Sequence, residues 1–383
     1  MCLSAAALSL AAILAACNSV TVTTYPPGSP ARASATASPS SPASAAVSEQ
    51  PLITGPAPSE DVTAFYYPWY RNPTSDGSWV HWNQLQHHPP DDIASSFYPL
   101  PGAYSSTDEA TVADQMRDLR AARIGVISVS WWGQGSIEDK VLPLLFTQAA
   151  AYGIRIAFHL EPYTGQTAES MAADIHYLLA RYGTAPALYR VSRATAGDSS
   201  TQSRPVFYVF AASRLVSADL KTAIAGLRGT PDDAIVMIHS PKAVSATRVG
   251  ADGVYTYDAT SDPSALASLV SDCRTAGIIC SPSVAPGFDN RQAVATGIQV
   301  VDRSDGARYD QMWQAVLAAA PEWVSVTSFN EWHEGTQIEP ATVYSAGGRT
   351  YESYDGAYGQ TGTAAQTAYL ERTASWIGKM AGS

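Results

Sequence analysis

The sequence predicts an α/β fold, a (β/α)8 TIM barrel with extended loops at the C-terminal face of the strands. Eight apolar, β-branched or aromatic runs recur between Thr63 and Trp332, and segments of helical periodicity separate most of them. Alternating strands and helices are the pattern of a parallel sheet wrapped by helices. Most runs also open as near-continuous hydrophobic stretches, as strands covered on both faces do.

Taken in order, the predicted strands are 63–70 (TAFYYPWY), 124–132 (IGVISVSWW), 154–163 (IRIAFHLEPY) and 204–210 (RPVFYVF). They continue with 234–240 (AIVMIHS), 253–259 (GVYTYDA), 278–287 (IICSPSVAPG) and 323–332 (WVSVTSFNEW). Helical patterns occupy 108–123, 138–152, 168–182, 217–227, 263–275 and 308–320, and a last one runs over 363–380. In the first, Val112, Met116 and Leu119 share a face, and Thr107 is placed to cap it. The link between the fifth and sixth strands is too short for a full helix. The longest loop, 71–106, is rich in aromatic and turn residues and is expected to cover part of the site.

The chain of 383 residues opens with MCLSAAALSLAAILAAC, an apolar run too short to span a bilayer comfortably. Residues 1–17 read as a signal peptide. Their end, Leu14-Ala15-Ala16-Cys17, resembles the lipobox of bacterial lipoproteins, which implies lipidation of Cys17. Residues 18–59 are mostly Ser, Ala, Pro and Thr. Such a segment buries too little surface to offset its ordering entropy, so a disordered tether is expected. Residues 60–383 would then be the catalytic barrel, anchored on the bacterial cell surface by its lipid or else secreted, and acting as a monomer. Cys273 and Cys280 lie in the barrel, near a helix end and the following strand. An exported protein could bridge them or leave two buried thiols, and spacing does not choose.

A net charge of −11 leaves no basic face to neutralise phosphates, which argues against a nucleic-acid partner. The surplus of rings, 20 Tyr and 9 Trp, fits either core packing or a groove for sugars, whose C–H faces stack on rings while their hydroxyls need polar partners.

Chemistry in this fold lies at the carboxyl ends of the strands. The first strand ends in Tyr66, Tyr67, Trp69 and Tyr70, the second in Trp131 and Trp132, and the third in His159, Glu161 and Tyr163. His239 ends the fifth, Tyr255, Tyr257 and Asp258 the sixth, and Asn330, Glu331 and Glu334 the eighth. Polar and aromatic endings thus converge on one mouth. Glu331 and Glu334, three residues apart in SFNEWHEGTQIEP, are placed to face it together. Two carboxylates in a partly dry cleft repel each other, so one tends to stay protonated while the other ionises. Glycoside hydrolysis needs that division. The alternative is a pair of glutamates capping a helix N-terminus. HEGTQ is not a zinc HExxH site, because Gln337 stands at the second histidine position. No metal or other cofactor is expected.

FYYPWYRNP, SWVHW, YPLPGAYSS, IGVISVSWWG, FHLEPY, GVYTYDAT, PSVAPGFD and SFNEWHEGTQIEP occur in the order seen in glycoside hydrolase family 99. The resemblance spans essentially the whole folded region. It implies a metal-free barrel that cleaves internal α-mannosidic linkages with retention, on α-mannan or mannose-rich glycans. In that family the sugar's own 2-hydroxyl attacks C1 and gives a 1,2-anhydro intermediate. By the match of NEWHEG, Glu331 would deprotonate that hydroxyl. Glu334 would protonate the leaving oxygen and then activate water. The same likeness implies that His159, Glu161 and Tyr255 or Tyr257 hydrogen-bond the flanking mannose, with Tyr66, Tyr67, Trp69 and Asn330 around the pocket. Trp132 favours mannose at the far subsite, where animal relatives resemble SWY and accept glucosyl-mannose. The rival readings are a catalytically silent carbohydrate-binding barrel, and a barrel glycosidase or glycosyltransferase for another hexose.

Overall fold

The computed structural model describes residues 56–381 apart from 196 and 197. The predicted signal segment, Cys17 and nearly all of the predicted tether lie outside the described residues. The barrel strands are β1 (Ser59–Tyr66), β2 (Ile124–Trp131), β3 (Arg155–Leu160), β4 (Asp198–Val209), β5 (Ile235–His239), β6 (Gly253–Tyr255), β7 (Ile279–Ser281 with Ser283–Val284) and β8 (Val324–Val326). Around them lie α1 (Glu109–Ala121), α2 (Ile137–Tyr152), α3 (Ala168–Tyr182), α4 (Ser217–Leu227), α5 (Ala243–Val249), α6 (Ala265–Ala276), α7 (Ala307–Ala319) and α8 (Ala368–Met380).

Consecutive barrel strands pair in parallel, and β8 pairs with β1. The ring closes through β7, whose first half pairs with β6 and second half with β8. Pro282 separates the halves; lacking an amide hydrogen, it is where the ladder changes partner. All eight predicted strands form, but most stop short of their predicted carboxyl ends. The polar and aromatic tails that follow are buried loops rather than strand.

Three local expectations change. Asp108, not Thr107, caps α1, its carboxylate accepting the Thr111 N–H at 2.7 Å; Thr107 instead donates its hydroxyl to Asp76 at 2.7 Å. The short link after β5 does hold a helix, the seven-residue α5. β4 begins earlier than predicted because the strand Arg190–Thr195 pairs with it as an antiparallel arm. That arm is polar, so no hydrophobic run announced it. Cys273 on α6 and Cys280 on β7 are both buried and both free thiols.

The barrel interior is aromatic and polar. Alternation along β1 turns Thr63 and Phe65 inward. Thr63 meets the Tyr208 hydroxyl at 3.3 Å, and the Phe65 ring lies 4.9–6.1 Å from those of His159, Tyr208, Tyr255 and Tyr257. Beside them, in register with Thr63 and Tyr255, stand the small residues Ser325 and Ser281, joined hydroxyl to hydroxyl at 2.6 Å. Large rings next to serines fill the interior, as barrel packing requires.

At the start of β2 a Cβ on Gly125 would sit 2.3 Å from the Ser59 carbonyl oxygen. Gly125→Ala is therefore expected to cost about 1–3 kcal/mol by overpacking. Urea unfolding checks this, and an unchanged midpoint would contradict the close approach.

Candidate active site

The chain leaving β8 folds back on itself. Phe329 donates its N–H to the Phe65 carbonyl at 2.8 Å, Ser328 to Thr336 at 2.9 Å, and Glu339 back to Phe329 at 2.9 Å. Residues 330–335 form the tip of this turn. Gly335 there has φ +60°, and a Cβ on it would lie 3.0 Å from the Asp289 carbonyl, so the turn needs a residue without a side chain. Asp289 in turn donates its N–H to the Glu334 carbonyl at 2.6 Å. No helix begins at this stretch, so Glu331 and Glu334 cap none.

Both carboxylates line one cavity of about 650 Å³ of empty space, open to solvent, together with Tyr67, Trp69, Trp132, Glu161 and Tyr257. Glu331 is 1% and Glu334 6% exposed. Burial, then the neighbouring charge of Glu334, pushes Glu331 well above the ordinary carboxylate range. Burial also raises Glu334, to about 7, against a hydrogen bond from the Tyr257 hydroxyl at 3.1 Å. Among the described residues neither has a lysine or arginine partner. The nearest ring nitrogen, Nδ1 of His333, is 3.5 Å from Glu331, and burial pushes that histidine down to about 4. Two buried carboxylates this close therefore hold a proton between them more readily than exposed ones do.

Glu161 stands on the opposite wall. It accepts the Ser130 hydroxyl at 2.9 Å, and Ser130 accepts the Trp132 indole N–H at 3.1 Å. His159 Nδ1 is 2.9 Å from Glu161 but out of line for a hydrogen bond, while its Nε2 meets the Tyr255 hydroxyl at 2.7 Å.

The predicted binding residues thus divide. Tyr67, Trp69, Trp132, Glu161 and Tyr257 line the cavity. Tyr66, His159, Tyr255 and Asn330 do not. Strand alternation turns Tyr66 outward, where its hydroxyl donates to Gln115 on α1. His159 and Tyr255 form a buried layer inside the barrel. Asn330 is fully buried and clasps the Tyr67 backbone, accepting its N–H at 2.7 Å and donating to its carbonyl at 3.1 Å. Loop 71–106 contributes nothing to the cavity lining; it packs behind the turn, where the His81 carbonyl meets His333 Nε2 at 2.9 Å. Phe210, Phe288 and Gln299 line the cavity without having been singled out. Phe210 ends a predicted strand and Phe288 lies in PSVAPGFD, so both had a positional signal; Gln299 had none.

A parallel barrel with two buried acids at a ring-lined mouth defines the class: a (β/α)8 glycoside hydrolase. The model of Glycosyl hydrolase family 99 matches residues 58–382. The sequence is 33% identical over 336 residues to the glycoprotein endo-alpha-1,2-mannosidase of Xenopus laevis, covering 78% of this chain and 74% of that one. With the mouse enzyme of the same name the identity is 33% over 353 residues, covering 82% and 74%. The structure of the GH99 endo-alpha-mannosidase from Bacteroides thetaiotaomicron in complex with bis-tris-propane matches with a TM-score of 0.76 and 30% identity, covering 85% of this chain and 98% of that one. The chain belongs to glycosyl hydrolase family 99.

A pH prediction follows from the buried acid. Glu334 titrates higher folded than unfolded, so its protonated form is favoured by folding. That stabilisation is whole below about 4.5 and is lost as pH rises through about 7. His333 and His239, both pushed down to about 4 by burial, work the other way, losing stability as pH falls below 6.5. Glu334→Gln removes the first effect and, by taking its charge from beside Glu331, part of the rise of Glu331 in the same direction, while the histidine effect stays. Relative to wild type it should gain stability between about pH 5 and pH 8, by roughly 1.4 kcal/mol for each pH unit of displaced midpoint. Denaturant melts at the two pH values read this, and a constant difference would contradict it.

Proposed function

We propose that this enzyme cleaves internal α-mannosidic linkages, α-1,2 above all, in mannan or mannose-rich glycans, with retention through the sugar's own 2-hydroxyl. The carrying observation is the pair Glu331 and Glu334, both buried, lining one cavity and unpaired with any described lysine or arginine. The names of the vertebrate and bacterial relatives, endo-acting mannosidases, support the substrate class.

In the first step Glu331 takes the proton of the 2-hydroxyl as that oxygen attacks C1. The C1–O bond to the departing sugar breaks, and its oxygen takes a proton from Glu334. In the second step Glu334 takes a proton from water, whose oxygen attacks C1. The anhydro ring opens and O2 recovers its proton from Glu331. Two inversions at C1 give net retention. An α-mannoside suits this course because its axial 2-oxygen lies anti to the axial leaving group. A bound sugar sets these roles, since its 2-hydroxyl offers Glu331 a donor and its glycosidic oxygen offers the protonated Glu334 an acceptor. Trp132, tied through Ser130 to Glu161, is the residue whose identity favours mannose over glucose at the far subsite. Export, with a lipid on Cys17, belongs to the same reading; mass spectrometry of the mature N-terminus tests it.

The decisive assay is product analysis on a defined α-1,2-mannotetraose. Wild type should release small mannosides whose first-formed anomer is α by proton NMR. Glu331→Gln and Glu334→Gln should each lower kcat about 10²–10⁴-fold, the usual worth of a general acid or base. Turnover unchanged in either variant would sink the roles, and binding without turnover in wild type would favour a silent carbohydrate-binding barrel.

A further inference from the structure

Glu339 takes no part in these steps, yet its carboxylate is buried as deeply as the reacting pair, at 2% exposure. Its Oε1 accepts the Gln115 amide of α1 at 2.7 Å; its Oε2 accepts the Tyr104 hydroxyl at 2.8 Å and the Trp332 indole N–H at 2.8 Å. The three donors come from three segments: α1, loop 71–106 and the turn itself. Trp332 lies between the two reacting glutamates in sequence. The Tyr104 hydroxyl also accepts the Asn330 amide at 3.2 Å, and Asn330 clasps Tyr67 from both sides. The Tyr67 hydroxyl donates to Tyr257 at 2.8 Å, and Tyr257 donates to Glu334. One hydrogen-bonded route, through Tyr104, Asn330, Tyr67 and Tyr257, and one covalent route, through Trp332 along the chain, therefore run from Glu339 to the reacting pair.

A buried carboxylate ringed by neutral donors costs stability that an apolar side chain would not. Its presence here answers to geometry, because only an acceptor with two oxygens can gather an amide, a phenol and an indole at one point. We infer that Glu339 is the positioning residue of this site. Its carboxylate, through Trp332 and Tyr104, fixes the turn so that Glu331 and Glu334 address one sugar. The inference rests on the reading of those two glutamates given above. Burial pushes Glu339 up to about 7, with Asp118 of α1 adding to the rise and the three donors opposing it. The other ionisable groups facing it are the Tyr66, Tyr70, Tyr104 and Tyr354 hydroxyls, all raised by burial and so neutral. Protonation would place a hydrogen where three donors already point, so the assembly is complete only when Glu339 is ionised.

The test uses Glu339→Gln, Tyr104→Phe and their combination in the full chain. Each single variant should lower kcat tenfold or more with KM within twofold and the melting temperature within a few degrees. The double variant should be no worse than the worse single one, since both cut one network. Losses that multiply, that appear in KM alone, or that track lost thermal stability would overturn the assignment. A second readout needs no turnover. The indole resonance of Trp332, assigned by Trp332→Phe in protein labelled with 15N, should shift with pH around neutrality in wild type and stay fixed in Glu339→Gln. A wild-type resonance that does not titrate overturns the ionised hub. An inactive wild type would count against the proposed reaction instead, and the resonance would still decide the network.

Discussion

The site depends on keeping carboxylates dry without giving them a cation. Glu161, Glu331, Glu334 and Glu339 are all at least nine-tenths buried, and the groups that satisfy them are neutral: Ser130, Tyr257, Tyr104, Gln115, Trp332 and a backbone N–H. A lysine or arginine at 3 Å would hold a carboxylate ionised and far below neutrality. At Glu334 and Glu339 neutral donors oppose the rise that burial causes without cancelling it, which leaves acid and base forms of both accessible near pH 7. The arginines are used elsewhere. Arg204 and Arg228 pair with Asp233 and Asp252, residues that precede the starts of β5 and β6. Arg303 spends its charge against the faces of Phe97, Tyr354 and Tyr369 while donating to the Gly335 and Gln337 carbonyls. It thus braces the turn from outside with no salt bridge to the acids.

The barrel interior carries that arrangement upward. Phe65, Tyr208 and Tyr255 fill the space that serines on β7 and β8 leave, and His159 bonded to Tyr255 closes this layer. Above it the strand tails supply Tyr67, Glu161 and Tyr257 to the cavity. A barrel filled with branched aliphatics would give a floor of equal height but no hydroxyl to engage His159.

How much of this was legible follows from periodicity. The strands were, because parallel strands buried on both faces are apolar without interruption, and their direction told which ends meet at the mouth. What failed was what periodicity does not encode. Tyr66 and Tyr67 are adjacent tyrosines, and only the register of β1 decides that the first faces α1 and the second the cavity. Asn330, which the family resemblance places around the pocket, is used on the Tyr67 backbone, where a side chain that can both donate and accept is needed. Loop 71–106 was expected over the site because it is long and aromatic. Its rings are spent on packing, Trp82 stacking on Tyr70 at 4.1 Å, behind the turn rather than across its opening. The arm 190–195 carries no hydrophobic run to announce it, since a polar antiparallel arm needs none.

The glutamates themselves show the limit from the other side. Their spacing made a shared cleft plausible, but residue spacing is equally compatible with a helix cap, and only the folded turn separates the two. That turn is held at several points: by Phe329 on the Phe65 carbonyl, by Asp289 on the Glu334 carbonyl, by Arg303 on two further carbonyls and by Glu339 on Trp332. Backbone contacts alone fix where the chain runs; they leave each carboxylate free to rotate. The side-chain restraints are fewer and more telling. Tyr257 reaches Glu334, and the His333 N–H reaches Glu331 at 3.1 Å. Each carboxylate thus has a restraint of its own, which leaves remaining lone pairs for a substrate hydroxyl on one and a glycosidic oxygen on the other. A pair locked by more hydrogen bonds would be better satisfied and poorer at chemistry, since every donor added to a carboxylate lowers its affinity for the proton it has to exchange.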